Sequence, residues 1–543
     1  MKKLPKLLSL ALCLSMVAGL AACGGDTGTN TDTPGSAAPD TGATTPAEET
    51  GTKTFVFGTD ANANSFDTAA DLQTNSAYAL VASVMEPLWT VDNQGNATGL
   101  LAESFEWTGD LELTVKLRDG VTFSNGNALT SDDVLYTLEH FRDSGRSASM
   151  VACVDFEKTT CPDDTTIVLA MNTYDASFMD TMGNHSFGIL DRETCQAFED
   201  AGSWSWLIGT GPYKLKGDGV NDKSGWEESV QYTLVRNEDY WGEAPYYDEI
   251  IIKFYSEEST RYSEFQAGNL DAVYVTEATY INGLGNGSVS GTALVQREAQ
   301  SVYGFQISSG ADSVGAFADV NIRKAFAHGI NIEEMVTVLG EGIYKVASSV
   351  LGEDNWAYLN TGTYEYDPEY AAQCLAEAGY STDNPLTLTI VAESTAFNTA
   401  LAEAAQASLA EIGINLDLSG MGDFGTILPT LLSGQQQLGI GGPSNGSGND
   451  PASLLQQMGP LSDNVLLRVT DESLVDLFNR GSSSRDQDER IEIYHEFQQI
   501  MHDEYLYIPM WVETKNYGVK EEHTSFESAL ENNNMLNPTK LTD

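Results

Sequence analysis

Apolar and polar residues alternate along residues 111–117, where every second side chain is Leu or Val. This period of two predicts a half-buried β-strand. Residues 118–126 contain two turn sequences, Arg-Asp-Gly and Asn-Gly, on either side of a second short alternation at 121–123. Thr130 precedes Asp133 by three residues, the spacing of a shortened capping box, and an apolar helical pattern follows. The predicted order is strand, turn, strand, turn and capped helix.

A longer pattern between residues 386 and 418 predicts a complete folding unit. Apolar residues alternate over 386–390, recur at helical spacing from about Thr395 to Ile412, and alternate again over 414–418. A strand, a long helix and a second strand predict a right-handed βαβ crossover. The chain is therefore expected to contain a parallel sheet and to belong to the α/β class.

Residues 117–134 read LRDGVTFSNGNALTSDDV. This sequence closely resembles the signature of the extracytoplasmic solute-binding proteins of peptide- and nickel-type ABC importers. Other segments resemble the same family, among them 86–88 (EPL), 209–215 (GTGPYKL), 237–241 (NEDYW) and 320–326 (VNIRKAF). The resemblance thus extends over most of the chain.

The resemblance implies a type II periplasmic-binding-protein fold, in which a hinge joins two lobes around a ligand. The first lobe would comprise residues 53–92, 208–301 and 510–543, with an inserted subdomain at 93–207. The second lobe would comprise residues 302–509.

The first 52 residues indicate export and membrane anchoring. Residues 1–22 carry lysines followed by a short apolar run, as in a secretory signal peptide. The run is too short to cross a bilayer, which takes about 20 apolar residues. Cys23 follows Leu-Ala-Ala, which resembles the bacterial lipoprotein box and implies lipidation of Cys23, with palmitate-type acyl chains. Residues 23–52 lack aromatic and large aliphatic side chains, so we expect a disordered tether. A secreted protein in which Cys23 is incidental is the alternative.

The chain of 543 residues carries a formal net charge of −52. This charge disfavours binding to nucleic acid or to anionic membrane surfaces. We therefore expect the lipid alone to hold the protein at the extracytoplasmic face of the cell membrane. We also expect a monomer. Cys153 and Cys161 flank a predicted turn and could form a disulfide in an oxidising compartment, or remain buried thiols.

The sequence predicts no enzyme, no metal site and no cofactor. Its six histidines are scattered, and it contains neither a Gly-x-Ser-x-Gly elbow nor a Gly-x-x-x-x-Gly-Lys loop. Binding is therefore the function to locate.

The family resemblance places ligand contacts on two loops. The first, residues 60–64, follows the first strand, begins at Asp60 and contains Asn62 and Asn64. The second, residues 439–451, ends at Pro451 and contains Asn445 and Asn449. Peptide-binding members carry a Trp and an ammonium-binding Asp in the second loop, but residues 441–448 read GGPSNGSG here. The usual peptide anchor is therefore missing.

Two further residues are candidates with an open role. Asp450 could replace the missing anchor, or it could cap a helix that begins at Pro451. Trp356 could stack on a ligand or pack in the core.

The resemblance implies a receptor that captures an oligopeptide by closure of its lobes and delivers it to an ABC permease. A metal chelate or an oligosaccharide is the alternative ligand. A peptide-sensing signalling receptor and a surface hydrolase are alternative functions.

Overall fold

The computed structural model describes residues 52–60, 65–69, 77–144, 147–308, 315–433, 436–442, 449–455, 458–459, 467–468, 472–531 and 534–543. The strands within these ranges are β1 Thr54–Thr59, β2 Trp89–Val91, β3 Ala97–Gly99, β4 Ala102–Gly109, β5 Glu112–Leu117, β6 Thr160–Asp163, β7 Thr166–Ala170, β8 Tyr213–Leu215, β9 Trp226–Glu227, β10 Gln231–Arg236, β11 Glu249–Phe254, β12 Ala272–Val275, β13 Thr292–Ile307, β14 Lys345–Val346, β15 Leu386–Val391, β16 Ile414–Asp417, β17 Leu438–Gly441, β18 Met458–Gly459, β19 Leu467–Arg468, β20 Tyr507–Lys520, β21 Leu530–Glu531 and β22 Met535–Leu536.

The α-helices of the same ranges are α1 Tyr78–Val84, α2 Ser131–Asp143, α3 Ala176–Met182, α4 Arg192–Ala201, α5 Glu258–Gln266, α6 Ala278–Gly285, α7 Val320–His328, α8 Ile332–Leu339, α9 Pro368–Glu377, α10 Ala396–Ile412, α11 Phe424–Ser433, α12 Pro451–Leu455, α13 Glu472–Ser483 and α14 Gln487–Asp503. None of the helices in the described ranges is both long and apolar enough to cross a membrane.

Two long antiparallel strands join the two halves of a mixed sheet with the strand order β16-β15-β17-β13-β20-β12-β1-β11-β10-β8. The two strands, β13 and β20, pair with each other along most of their length. Their register shifts between Glu298 and Val302. On one side of the shift β20 pairs with β12, and on the other side β13 pairs with β17. The halves are thus two lobes joined by a pair of strands, the hinged two-lobed arrangement predicted from the sequence.

The pattern at residues 111–143 is largely confirmed. β5 lies in a separate antiparallel sheet of order β4-β5-β7-β6, which belongs to the inserted subdomain. α2 begins after Thr130, whose backbone N–H donates to the Asp133 carboxylate at 2.8 Å. The prediction of a second short strand was wrong, because residues 121–123 form only an isolated bridge between Thr122 and Ala128.

The βαβ unit is confirmed. β15 and β16 pair in parallel, with Leu386 opposite Ile414, and α10 connects them. Gly413 ends α10 with a φ of 100°, a left-handed conformation that glycine adopts without steric cost.

Separate apolar cores fill the lobes. One lies beneath β15–β17 in the second lobe, one beneath β1 and β11 in the first lobe, and one beneath the sheet of the inserted subdomain. A further core surrounds α14 and includes Val302 of β13 and Tyr507 of β20. Each lobe therefore has its own packing, with β13 and β20 running between them.

Three of the family-like segments meet at Glu86, which is buried. Its carboxylate accepts hydrogen bonds from Thr210 Oγ1 at 2.8 Å, Tyr240 Oη at 2.8 Å and Trp241 Nε1 at 2.9 Å. Burial raises the pKa of Glu86, although the three donors favour its charged form. The motifs at 86–88, 209–215 and 237–241 therefore form one structural network inside the first lobe.

Cys153 and Cys161 are free thiols, as are Cys195 and Cys374. Of the two states left open by the sequence, the structure has the unpaired one.

Candidate functional site

One face of β20 carries a row of charged and aromatic side chains where the two lobes join. Side chains alternate along a strand, so Trp511, Glu513, Lys515 and Tyr517 share a face. Three of them line a cavity of about 350 Å³. Its other walls come from β1 and the residue after it, from α1, from β12 and from β22: Phe57, Thr59, Asp60, Tyr78, Ala79, Tyr274, Met535 and Leu536. The volume lies in the range of small-molecule sites.

The cavity carries two carboxylates and one ammonium group. Lys515 Nζ lies 2.6 Å from Glu513 Oε1, and the side chain of Lys515 is only 5% exposed. Burial disfavours the charged form of Lys515, but Glu513 outweighs this effect and the pKa of Lys515 is raised. Asp60 adds a second, exposed carboxylate. The formal charge of the three groups is therefore −1, which favours a cationic group on a ligand.

Tyrosines surround these charges on the side of the first lobe. The rings of Tyr274 and Tyr517 lie 5.6 Å apart, and Phe57 lies 6.3 Å from Tyr517. Burial, followed by the charge of Glu513, raises the pKa of Tyr274, so this phenol stays neutral near pH 7. The wall thus offers flat aromatic surface together with polar hydroxyl groups.

A second aromatic cluster lies on the side of the second lobe, outside the residues that line the cavity. Trp511 stacks on Tyr303 with 5.4 Å between ring centroids and meets Phe397 of α10 edge-on at 4.9 Å. Tyr344 lies 4.9 Å from Phe397. The charge of Glu513 is the main cause that raises the pKa of Tyr303. Glu513 therefore lies close to aromatic groups of both lobes.

The structure brings part of the predicted first loop to this cavity. Asp60 begins that loop and lines the cavity. Asn62 and Asn64, the residues predicted to contact ligand, lie outside the described residues, and so does Asn445 of the second loop. Cys23 also lies outside them.

Asp450 has the geometry of a helix cap within a buried ion pair. Its Oδ1 accepts from the backbone N–H of Ala452 at 2.8 Å, at the start of α12. Arg490 donates to both carboxylate oxygens, at 2.6 and 2.7 Å. Both oxygens of Asp450 are thus occupied by groups of the protein itself.

Trp356 and Asn449 lie beside Asp450, away from the β20 cavity. The Arg490 guanidinium lies over the Trp356 ring at 4.9 Å, and Trp356 borders the core around α14. The carbonyl of Asn449 accepts from Asn355 Nδ2 at 2.8 Å. The described residues therefore place these predicted contacts at a different junction from Asp60.

Sequence reasoning missed the β20 face. A sequence pattern that predicts this face was present, because Trp511, Glu513, Lys515 and Tyr517 occupy every second position of a strand-like segment. The sequence did not show which other parts of the chain would form the remaining walls of the cavity.

Comparison with known proteins identifies the family. Residues 96–464, more than half of the chain, match the model of the bacterial extracellular solute-binding proteins, family 5 Middle. The chain belongs to this family. Its members are substrate-binding proteins, not enzymes. The resemblance noted in residues 117–134 is confirmed at this level.

Curated relatives carry different ligand names. A Brucella ovis protein named as an ABC transporter peptide-binding protein is 28% identical over 361 residues, which cover 64% of each chain. The chain thus matches slightly less than two thirds of that relative's length. Heme-binding protein A of Haemophilus influenzae is 25% identical over 501 residues, 86% of this chain and 88% of the relative.

Solved structures share the fold. The periplasmic binding protein DppA of Helicobacter pylori, in complex with the peptide STSA, superposes with a TM-score of 0.74 at 22% identity. The match covers 87% of this chain and 95% of DppA. It confirms the two-lobed periplasmic-binding-protein fold.

Proposed function

We propose that this chain is the solute-binding component of an ABC importer, and that it captures an oligopeptide between its lobes and delivers it to a permease. Membership of the family supports the receptor role. The observation that carries the proposal is the β20 cavity, which lies next to the two strands that join the lobes and has walls of both charge and aromatic surface. A cavity beside the connecting strands changes shape when the lobes move.

The proposed division of the chain is residues 53–92, 208–301 and 510–543 for the first lobe, 93–207 for its inserted subdomain and 302–509 for the second lobe. The register shift of β13 between Glu298 and Val302 supports the boundary near residue 301. The separate apolar cores on either side of this shift support it as well.

The peptide's α-ammonium group is proposed to contact Glu513 and Asp60. This pair takes the place of the Asp that is missing from residues 441–448. Lys515 donates a hydrogen bond to Oε1 of Glu513 and so keeps this side chain in position. The cavity still has a net negative charge, because Glu513 and Asp60 outnumber Lys515. Hydrogen bonds to charged groups contribute about 1.5–3 kcal/mol each. The tyrosines that line the cavity, Tyr78, Tyr274 and Tyr517, are proposed to contact the peptide's side chains.

Calorimetric titration with a tripeptide library tests this assignment. Free tripeptides should bind, and Glu513→Gln should weaken binding roughly tenfold, the loss of about one charge-assisted hydrogen bond. N-acetylation should weaken binding to the wild type by a similar factor. Glu411→Gln, on the exposed face of α10, is the control and should bind as the wild type does. Equal affinity for free and acetylated peptides would refute the ammonium contact.

The anchoring proposal concerns Cys23. Lipidation of Cys23 would hold the protein on the extracytoplasmic face of the cell membrane, with residues 23–52 as a spacer. Cys23→Ser should move the protein from the membrane fraction to the medium or the periplasm. Unchanged fractionation would exclude a lipid at this position.

Uptake distinguishes an importer component from a peptide-sensing receptor. Deletion of the gene should abolish uptake of the bound peptide if the chain serves a permease. Normal uptake together with a lost transcriptional response would favour signalling. Peptide that leaves the purified protein should be chemically unchanged, since the family binds substrates without converting them.

A further inference from the structure

A second contact between the lobes lies at the inserted subdomain. α3 belongs to that subdomain, because Phe178 and Met182 share the apolar core beneath its sheet. α12 and α14 belong to the second lobe, because Leu454 and Tyr494 share a core with Val302 of β13. Bending of β13 and β20 would therefore move α3 away from α12.

Asp180 of α3 makes this contact. Its Oδ1 accepts from the backbone N–H of Asn449 at 3.1 Å, and its Oδ2 accepts from the backbone N–H of Asp450 at 2.9 Å. Ser453 Oγ also donates to Oδ2, at 3.1 Å. A single side chain of the inserted subdomain thus satisfies three donors of the second lobe.

Charged groups converge at this point. Asp180 is buried, and Asp450 next to it is held by Arg490 at 2.6 Å. Asp175, at the start of α3, is a third carboxylate whose electrostatic partners include Asp450 and Arg490. Burial, followed by the charge of Asp450, raises the pKa of Asp180 to about 6. Arg490 is paired with Asp450, and the negative charge of Asp180 is stabilised by its three hydrogen bonds.

More contacts cross the same boundary. The Arg485 guanidinium lies over the rings of Tyr174 at 3.9 Å and Trp107 at 4.2 Å. Arg485 also donates to the carbonyl of Asp110 at 2.7 Å, and Gln487 donates to the carbonyl of Gln94 at 3.0 Å. The Asp180 junction, meaning Asp180 with its three donors and these flanking contacts, therefore ties the inserted subdomain to the second lobe.

We propose that the Asp180 junction forms when the lobes close, and that Asp180 is a positioning residue which sets the balance between the closed and open forms. The proposal rests on the solute-binding function proposed above. The inserted subdomain then takes part in closure and is more than an attachment to the first lobe.

The chemistry of the junction suits a contact that must also break. Opening exposes Asp180 to water, and the hydration that it regains offsets much of the loss of its three hydrogen bonds. An apolar contact of the same size would lack this compensation. Interfaces between moving domains are correspondingly polar.

Small-angle scattering of the protein, freed of retained solute by unfolding in urea and refolding, tests the proposal together with hydrogen exchange. The wild-type scattering curve should fit a mixture of the closed arrangement described here and an open one. Asp180→Ala should increase the radius of gyration and speed amide exchange in residues 449–455 by roughly tenfold or more, because three hydrogen bonds are lost. Asp180→Asn keeps one acceptor and removes the charge that burial disfavours, so it should lie closer to the wild type than Asp180→Ala does. Asp133→Ala removes another buried carboxylate of the same subdomain, one that caps α2, and should leave the radius of gyration unchanged.

Two results would overturn the proposal. A wild-type curve that fits separated lobes would show that the junction is too weak to hold them together. An unchanged radius of gyration in Asp180→Ala, with faster exchange only at residues 449–455, would reduce Asp180 to a local cap. Neither readout contains a solute, so a failure to bind peptide would count against the proposed ligand and not against the junction.

Discussion

Removal of the Arg490 side chain should strongly destabilise the second lobe. The side chains of Arg490 and Asp450 are 9% and 8% exposed, and two hydrogen bonds of 2.6 and 2.7 Å join them. A third hydrogen bond of 2.7 Å runs from Arg490 to the carbonyl of Gly481. Arg490→Met would leave the Asp450 carboxylate buried without a counter-charge, which typically costs about 3–5 kcal/mol.

A double-mutant cycle separates the ion pair from general packing. Asp450→Asn removes the charge but keeps an acceptor for Ala452, so it should cost less than Arg490→Met. The double variant should lose less stability than the sum of the single variants, with a coupling energy of about 2–3 kcal/mol. Arg480→Met is the matched control, because Arg480 and Asp476 form an exposed ion pair whose loss should cost at most about 1 kcal/mol.

Urea unfolding followed by circular dichroism and by tryptophan fluorescence measures these energies, provided that the two transitions coincide. A cost for Arg490→Met similar to that for Arg480→Met, or strict additivity in the cycle, would refute the buried ion pair. Asp450→Asn should also leave affinity for cationic solutes unchanged, since both oxygens are already occupied. Weaker binding of such solutes would show that Asp450 contacts the ligand.

Three further predictions concern stability and pH. Glu86→Leu should destabilise the first lobe by about 3 kcal/mol or more in urea unfolding, because three buried donors lose their acceptor; a cost below about 1 kcal/mol would contradict the network. Lower pH should favour the closed form, because closure raises the pKa of Asp180 from 3.8 to about 6 and protons are taken up between these values; the radius of gyration should fall from pH 8 to pH 5 in the wild type but not in Asp180→Asn. His185 and Glu531 form a buried pair that raises the pKa of His185 above 6.5 and lowers that of Glu531 below 4.5, in each case against the effect of burial. The pair therefore contributes its full stabilisation between pH 4.5 and pH 6.5, and less at higher pH. His185→Gln should accordingly cost more stability at about pH 5.5 than at about pH 9. An equal cost at both pH values would contradict the pairing.

Local sequence patterns predicted local structure well. α2 and its cap follow from Thr130, Asp133 and the apolar spacing after them, because capping involves residues only three positions apart. The βαβ unit follows in the same way, because the spacing of apolar residues within 386–418 changes from strand-like to helical and back again. The prediction of a short strand at 121–123 was wrong, because an alternating pattern does not guarantee a neighbouring strand to pair with. In the structure this segment forms one isolated bridge.

The site could be predicted only in part, because its contacts join distant parts of the chain. Glu513 influences both Tyr274 and Tyr303, which come from different strands and lie more than two hundred residues away in sequence. Asp180 meets Asn449 across 269 residues. The order of strands in the sheet creates these neighbours, and one sequence does not contain that order. Asp450 shows the same limit, since its cap was visible in the Asp-Pro sequence while Arg490 was not.

Native mass spectrometry of the protein purified without denaturation tests the central claim most directly. The claim is that the lobes enclose a solute and release it unchanged. We predict that the protein retains a set of oligopeptides, that these are displaced intact by an excess of a tripeptide library, and that Glu513→Gln retains less of them. Release of cleaved or otherwise altered molecules, or the absence of any bound solute together with no uptake from the library, would contradict the account.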